Sequence, residues 1–389
     1  MEASASLSNI PIDIIRHILL QLPVKSVIRC QCVCKQWRLL IQDDSDFKLS
    51  YRGQRRVIIL SYESKGGKNK DCSRFFVRST SHDLRLQRHK WAFGEGYPLI
   101  RETSLFDVTL CCSCNGLLLV VTKRDLLLWN PSTRCLTKVL ERSYPEESQE
   151  FILAGLCYDS GNRDYKVVLL FHRYWGYSLV ISASLNHKEW RPVEFPYYCL
   201  RSIRGGVNFR NTFHWWGVSE IKHKGPGNKI IYFDHALDKF RILPTPGIEN
   251  LIVGLGVIDD CVCMVQEDEP NSTNKIQVFI MKEYGRQESW MTAFAIQIPE
   301  LETYGRYAFT LTFYSLKKNA QEVFLSISDA YGCHGQYPFK YQVYVYDRKK
   351  DELKEILMNF LTSYRRDVVG MCFYVESLDC PSHNGFLAQ

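Results

Sequence analysis

Several side chains in this sequence have types and spacings that could support metal binding. The relevant cysteines are Cys111, Cys112, Cys114 and Cys135, together with a separate pair, Cys261 and Cys263. A structural zinc site would need a second Cys-x2-Cys pair or a Cys/His pair beside these cysteines, and no such pair accompanies either group. Because residues two apart on a strand share one face, we expect these thiols to act as small core hydrophobes. The sequence predicts no metal and no cofactor.

Two other groups could take part in acid–base chemistry. His214 precedes Trp215 and Trp216 in a run typical of a strand, and Asp259 and Asp260 form an adjacent carboxylate pair at an expected turn. We expect His214 to lie in the core or in a central channel, and the two carboxylates to be solvated. The sequence has no glycine-rich phosphate loop after a strand and no nucleophile elbow. These observations predict a protein without a catalytic site.

The composition excludes several other classes of function. The chain has 389 residues, of which 46% are hydrophobic, and a formal net charge of +7 without a long basic run, so nucleic acid is not an expected partner. No apolar run approaches the roughly 20 residues that span a membrane, and MEASASLSN does not resemble a signal peptide. The 15 cysteines then predict reduced thiols in the cytoplasm, the nucleus or both.

Residues 10–41, IPIDIIRHILLQLPVKSVIRCQCVCKQWRLLI, form an apolar stretch with helical periodicity. Pro11 suits the start of a helix. The negative charge of Asp13, in the first turn, interacts favourably with the positive end of the helix dipole. Pro23 ends this helix and begins the next, and Trp37 lies in a third. Three helices in fewer than roughly 40 residues cannot bury all of their apolar surface alone. The remaining surface predicts a docking module for another protein.

This stretch resembles the plant F-box over its whole length, through Pro11, Asp13, LPVKS at 22–26, CVCK at 32–35 and Trp37. The resemblance implies binding to the Skp-type adaptor of an SCF (cullin-RING) ubiquitin ligase, and through it to a cullin. The implied adaptor-binding residues are Ile10, Pro11, Ile14, Ile15, Ile18, Leu19, Leu22, Pro23, Val27 and Trp37, with Ile10 standing where a leucine is usual. The alternative is a helical cap on the following domain, which does not explain why three helices precede a β-rich chain.

The rest of the chain changes to a period of two with short apolar runs, which is typical of strands. Copies of a four-run pattern begin at intervals of about 45 to 55 residues, as in propeller blades, and span 109–140, 155–195, 206–244, 255–296 and 309–357. Runs at 55–62 and 73–79 could join one at 368–378 to close the ring and remove its exposed edges. We predict an α plus all-β chain in which a three-helix module precedes a propeller of six blades, with five or seven as alternatives.

The β-rich part also resembles the plant F-box-associated, kelch-like domain, through SCNGLLLV, LLLWNPSTRCL, GLCYDSGNRDYKVV, SLNHKEWRPV and YFDHALDKFRILPTP. The double-glycine signature of true kelch repeats is absent. The resemblance implies that this domain captures a protein substrate, which the F-box presents for ubiquitin transfer. We expect the F-box at 1–50, the propeller at 51–379 and a tail at 380–389.

Substrate would bind where the connections between second and third strands meet on one face of the ring. The connection HRYWG places Arg173, Tyr174 and Trp175 together, and these residue types are frequent in interface hot spots. Folding of Trp175 back onto its own blade is an equal alternative. Tyr331, His334 and Tyr337 form a second candidate group.

We therefore expect a non-catalytic substrate receptor of an SCF ubiquitin ligase. A protein- or glycan-binding propeller that acts without the ligase is one alternative. A propeller enzyme with a site in its central channel is another, and it would need convergent polar groups that the sequence does not indicate.

Overall fold

The structure is a computed structural model of the chain. It describes residues 10–63, 74–80, 87–89, 109–122, 125–141, 149–173, 178–195, 204–221, 224–246, 252–267, 274–299, 309–315, 321–329, 341–355 and 366–380.

The N-terminal module consists of helices α1 (Ile12–Gln21), α2 (Val24–Cys30), α3 (Lys35–Gln42) and α4 (Ser45–Ser50). The prediction of three helices therefore missed α4. The Asp44 side chain begins this helix by accepting a hydrogen bond from the Phe47 amide at 2.7 Å, which is a favourable N-terminal cap. The module buries Leu19, Val27 and Ile41 in one small core.

The β-rich part begins with β1 (Arg55–Glu63), β2 (Arg74–Thr80) and β3 (Gln87–His89), which pair in one sheet with the last strand, β24 (Arg366–Val375). Three further four-stranded sheets follow in chain order. They are β4 (Thr109–Cys114), β5 (Leu117–Val121), β6 (Asp125–Asn130) and β7 (Cys135–Glu141); β8 (Gln149–Asp159), β9 (Asp164–Arg173), β10 (Ser178–Ser184) and β11 (Trp190–Val193); and β12 (Arg204–Phe209), β13 (Thr212–Ile221), β14 (Lys224–Asp234) and β15 (Lys239–Leu243).

The remaining strands form a single eight-stranded sheet. Its first half is β16 (Ile252–Ile258), β17 (Cys261–Glu267), β18 (Lys275–Met281) and β19 (Trp290–Gln297), and its second half is β20 (Phe309–Tyr314), β21 (Glu322–Asp329), β22 (Tyr341–Asp347) and β23 (Glu352–Glu355).

The sheet that combines the first and last strands of the β-rich part confirms the predicted closure. β1 pairs antiparallel with β24, in a register that sets Arg55 opposite Val375 and Ile59 opposite Met371. The repeated four-run pattern is also confirmed, because each of the five copies forms four consecutive antiparallel strands. The result is an arrangement of sheets like that of a propeller.

The prediction of six separate blades is wrong. Four sheets are separate four-stranded blades, whereas the last two copies merge because β16 pairs in parallel with β20. Gly254 and Gly256 permit this pairing. A Cβ atom at either position would lie 2.2 Å from the carbonyl oxygen of Leu311 or Phe313, respectively. The absence of these two side chains lets the backbones approach closely enough to form one sheet.

The cores lie between neighbouring sheets. Strands β5 and β6 are buried along their whole length, which explains their continuous apolar runs. A shared cluster joins Leu119 and Leu128 of that sheet to Leu169 and Phe171 of the next sheet and Phe233 of the third. Packing between sheets, and not only pairing within them, therefore holds the β-rich part together.

One expectation about the cysteines needs correction. Cys135 at the start of β7 and Cys380 near the C-terminus form a disulfide, with their Cα atoms 5.9 Å apart. Reduced thiols were expected because the N-terminal residues do not resemble a signal peptide. The pair could not be found from the sequence, since 245 positions separate the two cysteines and the fold alone brings them together.

Candidate adaptor-docking surface

Helix α1 carries apolar side chains on two sides. Ile15 and Leu19 are buried in the core of the module, whereas Ile14 and Ile18 are 51% and 47% exposed. With 3.6 residues per turn, each of these pairs shares one stripe of the helix. One stripe therefore stabilises the module, and the other faces away from its core.

The exposed stripe is part of a larger set. The exposed apolar residues of the module are Ile10, Ile12, Ile14, Ile18, Val33 and Leu39. A module of this size has no further helix in the described residues to cover them. Exposed apolar side chains in such a concentration are typical of a surface that binds another protein.

The predicted adaptor-binding residues divide by burial. Ile10, Pro11, Ile14, Ile18 and Pro23 are exposed, Leu22 and Trp37 are half-buried, and Ile15, Leu19 and Val27 are buried. The buried residues support the exposed ones by forming the core of the module. Ile12, Val33 and Leu39 are exposed apolar residues that the prediction left out. Both Ile12 and Val33 had a signal in the sequence, because Ile12 lies three residues before Ile15 at helical spacing and Val33 lies within the quoted CVCK motif.

An ion pair between helices stiffens this module. Arg16 on α1 donates two hydrogen bonds to the Asp44 carboxylate, at 2.8 and 3.2 Å, and its guanidinium lies 5.5 Å from the centre of the Phe47 ring. The hydrogen bond from Arg16 lowers the pKa of Asp44, and the bond from the Phe47 amide lowers it further. Asp44 therefore joins α1 to the start of α4.

The module lies against the turns that join the first and second strands of two blades. Arg163, in the β8–β9 turn, donates to the Ser45 hydroxyl at 2.9 Å and to the Asp46 carboxylate at 3.0 Å. Arg52 donates to Asn115 in the β4–β5 turn at 3.4 Å. These contacts attach the helices to one end of the strands.

Residues 376–380, here called the C-terminal clasp, make the deeper contacts. The Arg56 guanidinium donates to Glu376 at 2.6 Å. Asn130 donates to the carbonyl and hydroxyl oxygens of Ser377, at 3.2 and 3.0 Å. Leu378 packs in the core of the helical module. A single short segment thus contacts the helices, the β1 sheet and the β4–β7 blade.

Two family models match this chain. Residues 7–49 match the F-box domain, and residues 72–379 match the F-box associated beta propeller domain. The chain belongs to the F-box-associated beta propeller family. The first match covers the helical module with its exposed apolar residues, and the second covers most of the sheets and reaches Asp379 in the clasp.

Among its relatives is F-box protein CPR1 of Arabidopsis thaliana, which is 28% identical, with the alignment covering 76% of this chain and 74% of the relative. F-box/kelch-repeat protein At3g23880 of the same plant is 27% identical, over 74% of this chain and 79% of the relative. The family predicted from the two sets of motifs is therefore confirmed for both parts of the chain.

Most of the predicted substrate-binding residues of this F-box protein lie outside the described part of the chain. These are Tyr174, Trp175, Tyr331, His334 and Tyr337. Arg173 ends β9, where the strand pairs with Gln149 at the start of β8. Because the β8–β9 turn at the other end of these strands contacts the module, the backbone of Arg173 lies at the end of the blade away from the F-box.

The other candidate groups are structural in the described residues. His214 is buried and bonds to the Tyr284 hydroxyl at 2.7 Å and to the Thr212 carbonyl at 3.1 Å, and burial lowers its pKa to about 4. Its neutral ring thus belongs to the core, which is one of the two predicted placements. The carboxylates of Asp259 and Asp260 are not merely solvated, because they pair with Arg348 and Arg55.

Two other kinds of site have no candidate among the described residues. In the part of the chain that the structure describes, no three His, Cys, Asp or Glu side chains converge as metal ligands would. None of the described helices has both the length and the apolar character required to cross a membrane.

Proposed function

We propose that this F-box protein is the substrate-recognition subunit of an SCF-type (Skp adaptor–cullin–F-box) ubiquitin ligase. The exposed apolar residues of the helical module carry this proposal, because they would be covered by a Skp-type adaptor, which in turn binds a cullin. A target protein would bind the propeller and be marked for proteasomal degradation. The working compartment would be the cytoplasm, the nucleus or both.

The two ends of the β8–β11 blade support separate sites for the adaptor and the substrate. The F-box contacts the β8–β9 turn, and Arg173 lies at the opposite end of the same strands. We propose that the connections at that end, with Arg173, Tyr174, Trp175, Tyr331, His334 and Tyr337, form the substrate-binding surface. A target held there would be separated from the adaptor by the length of a blade.

The proposed role is not catalytic. Ubiquitin transfer would be carried out by other subunits of the ligase, and this chain would raise the effective concentration of target lysines near them. The buried and paired states of His214, Asp259 and Asp260 support this division, because none of the three is placed as an available general base.

Adaptor binding tests the proposal. The purified full-length chain should retain a purified Skp-type adaptor in a pull-down, and the double substitution Ile14→Glu and Ile18→Glu should weaken binding at least about 100-fold, since several buried apolar contacts are replaced by charges. Ile242→Glu, at an exposed apolar position on β15, is the matched control and should bind normally. Failure of the wild-type chain to bind the adaptor would contradict the proposal and favour a binding module that acts without the ligase.

A further inference from the structure

The C-terminal clasp is held by buried polar contacts that originate in different parts of the fold. The Tyr165 hydroxyl donates to the Asp379 carboxylate at 2.6 Å, and the Asn130 side chain donates to the Asp379 carbonyl oxygen at 2.6 Å. Asp379 itself is buried. The clasp therefore closes over both the β4–β7 blade and the β8–β11 blade.

The same segment also reaches the helices. Leu378 packs with Leu19, Phe47 and Tyr51 in the core of the F-box. Lys48 on α4 is buried and interacts electrostatically with Asp379. The clasp thus adds a second link between α4 and the blades, beside the direct bonds from Arg163 to Ser45 and Asp46.

The disulfide between Cys135 and Cys380 secures this clasp at its end. Cys380 directly follows Asp379, and Cys135 is the first residue of β7. Both cysteines are only half-buried, so the bond lies near the surface of the protein. By contrast, Cys114 and Cys157 are fully buried, and burial raises the pKa of the Cys157 thiol to about 12.

The position of the bond has a mechanical consequence. While the disulfide is intact, the clasp is tethered beside its binding partners. Hydrogen bonds of the clasp that open can therefore re-form readily, because the effective concentration of the partners stays high. After reduction, only noncovalent contacts hold the clasp against the blades and the helices. In a reducing compartment, disulfides of proteins are usually transient and regulatory.

We propose that Cys135 and Cys380 form a thiol–disulfide site that a dithiol of the thioredoxin class opens, releasing the C-terminal clasp and loosening the F-box on the propeller. If the proposed function holds, reduction would change how rigidly a bound target is presented to the ligase. The site itself does not depend on that function, because its redox state and its effect on α4 can be measured in the isolated chain.

The exchange balances in two steps. A thiolate of the dithiol attacks the Sγ atom of Cys380, the S–S bond breaks, and the Cys135 sulfur leaves as a thiolate that takes a proton from solvent. The second thiol of the reductant then gives up its proton and attacks the mixed disulfide. This releases Cys380 as a protonated thiol and the reductant as a disulfide, so two electrons pass from the reductant to the protein.

Peptide mapping and hydrogen exchange test the proposal on the full-length chain. After oxidation with diamide, non-reducing digestion should yield a peptide that links Cys135 to Cys380, and dithiothreitol should remove it. We expect amides of α4 and of the clasp to exchange about tenfold faster after reduction, because local opening is no longer limited by the tether. Absence of the linked peptide, or unchanged exchange after its reduction, would overturn the proposal.

Matched variants separate the site from other effects of thiols. Cys380→Ser and Cys135→Ser should each show the fast exchange under oxidising and reducing conditions alike. Cys32→Ser, at an exposed cysteine of the module, should respond to redox conditions as the wild type does. Adaptor pull-down on the same samples distinguishes the two proposals, since loss of adaptor binding with an intact redox response contradicts only the ligase function.

Discussion

Arg56 and Glu376 form a buried ion pair in which the Arg56 Nε atom donates to a Glu376 carboxylate oxygen at 2.6 Å. The two residues lie 320 positions apart. Arg56 is the second residue of β1, just after the helices, and Glu376 follows β24 directly. The pair therefore joins the entry of the chain into the propeller to its exit, at the side where the F-box is attached.

Removing the charge of Glu376 should destabilise the protein strongly. Glu376→Gln leaves the Arg56 guanidinium buried without a counter-charge, which costs about 3 kcal/mol in the free energy of unfolding. Asp46→Asn provides the matched control, because the ion pair of Asp46 with Arg163 is exposed and worth at most about 1 kcal/mol. Urea unfolding of the two variants measures the difference, and equal losses would contradict the buried pair.

The merged eight-stranded sheet depends on the lack of a side chain at residue 254. Gly254→Ala places a Cβ atom against the Leu311 carbonyl, so we expect a loss of about 3 kcal/mol, at the upper end of the cost of overpacking. Gly161→Ala is the control, because its Cβ would meet only the Asp159 side chain, at 3.3 Å. Thermal unfolding compares the variants, and an unperturbed Gly254→Ala protein would argue against the parallel pairing of β16 and β20.

His214 should make stability depend on pH in mildly acidic solution. Burial lowers its pKa from 6.5 to about 4, so between these values the unfolded chain binds a proton that the folded chain does not. Stability is therefore fully present above pH 6.5 and declines as the pH falls toward 4, by about 2 kcal/mol between pH 7 and 5.

The contribution of His214 can be isolated by comparing variants. Denaturant unfolding at pH 7 and pH 5 should show a smaller pH-dependent loss for His214→Gln than for the wild type, by about 2 kcal/mol. His187→Gln, at an exposed histidine, should keep the wild-type dependence. Identical profiles for wild type and His214→Gln would rule out the buried neutral ring.

The two stripes of α1 should separate stability from binding. Leu19→Ala removes a side chain with 0% exposure and should cost about 2 to 5 kcal/mol. Ile18→Ala, one residue earlier and 47% exposed, should change the free energy of unfolding by less than about 0.5 kcal/mol while still weakening adaptor binding. Thermal unfolding and adaptor titration of both variants check this, and similar stability losses would contradict the division of the helix.

Much of this fold follows from local patterns. The period of the apolar residues in α1, the four-run repeats, and the incomplete set of strands near each chain end were sufficient to predict the helical module and the closed array of sheets. The start of α4 also had a local signal, since Asp44 is a favourable capping residue, but the three-helix prediction did not use it. The motifs around Pro11, Trp37 and the strand runs predicted the family.

Only the tertiary structure decided how the two parts are joined. Nothing near Asp379 in sequence shows that it accepts a hydrogen bond from Tyr165, 214 positions away, or that Cys380 meets Cys135. The same holds for the fusion of two blades at Gly254, where the missing side chain matters only because Leu311 lies opposite. Periodicity reports the environment that one element requires, whereas these contacts depend on which distant segments the closed fold brings to the same place.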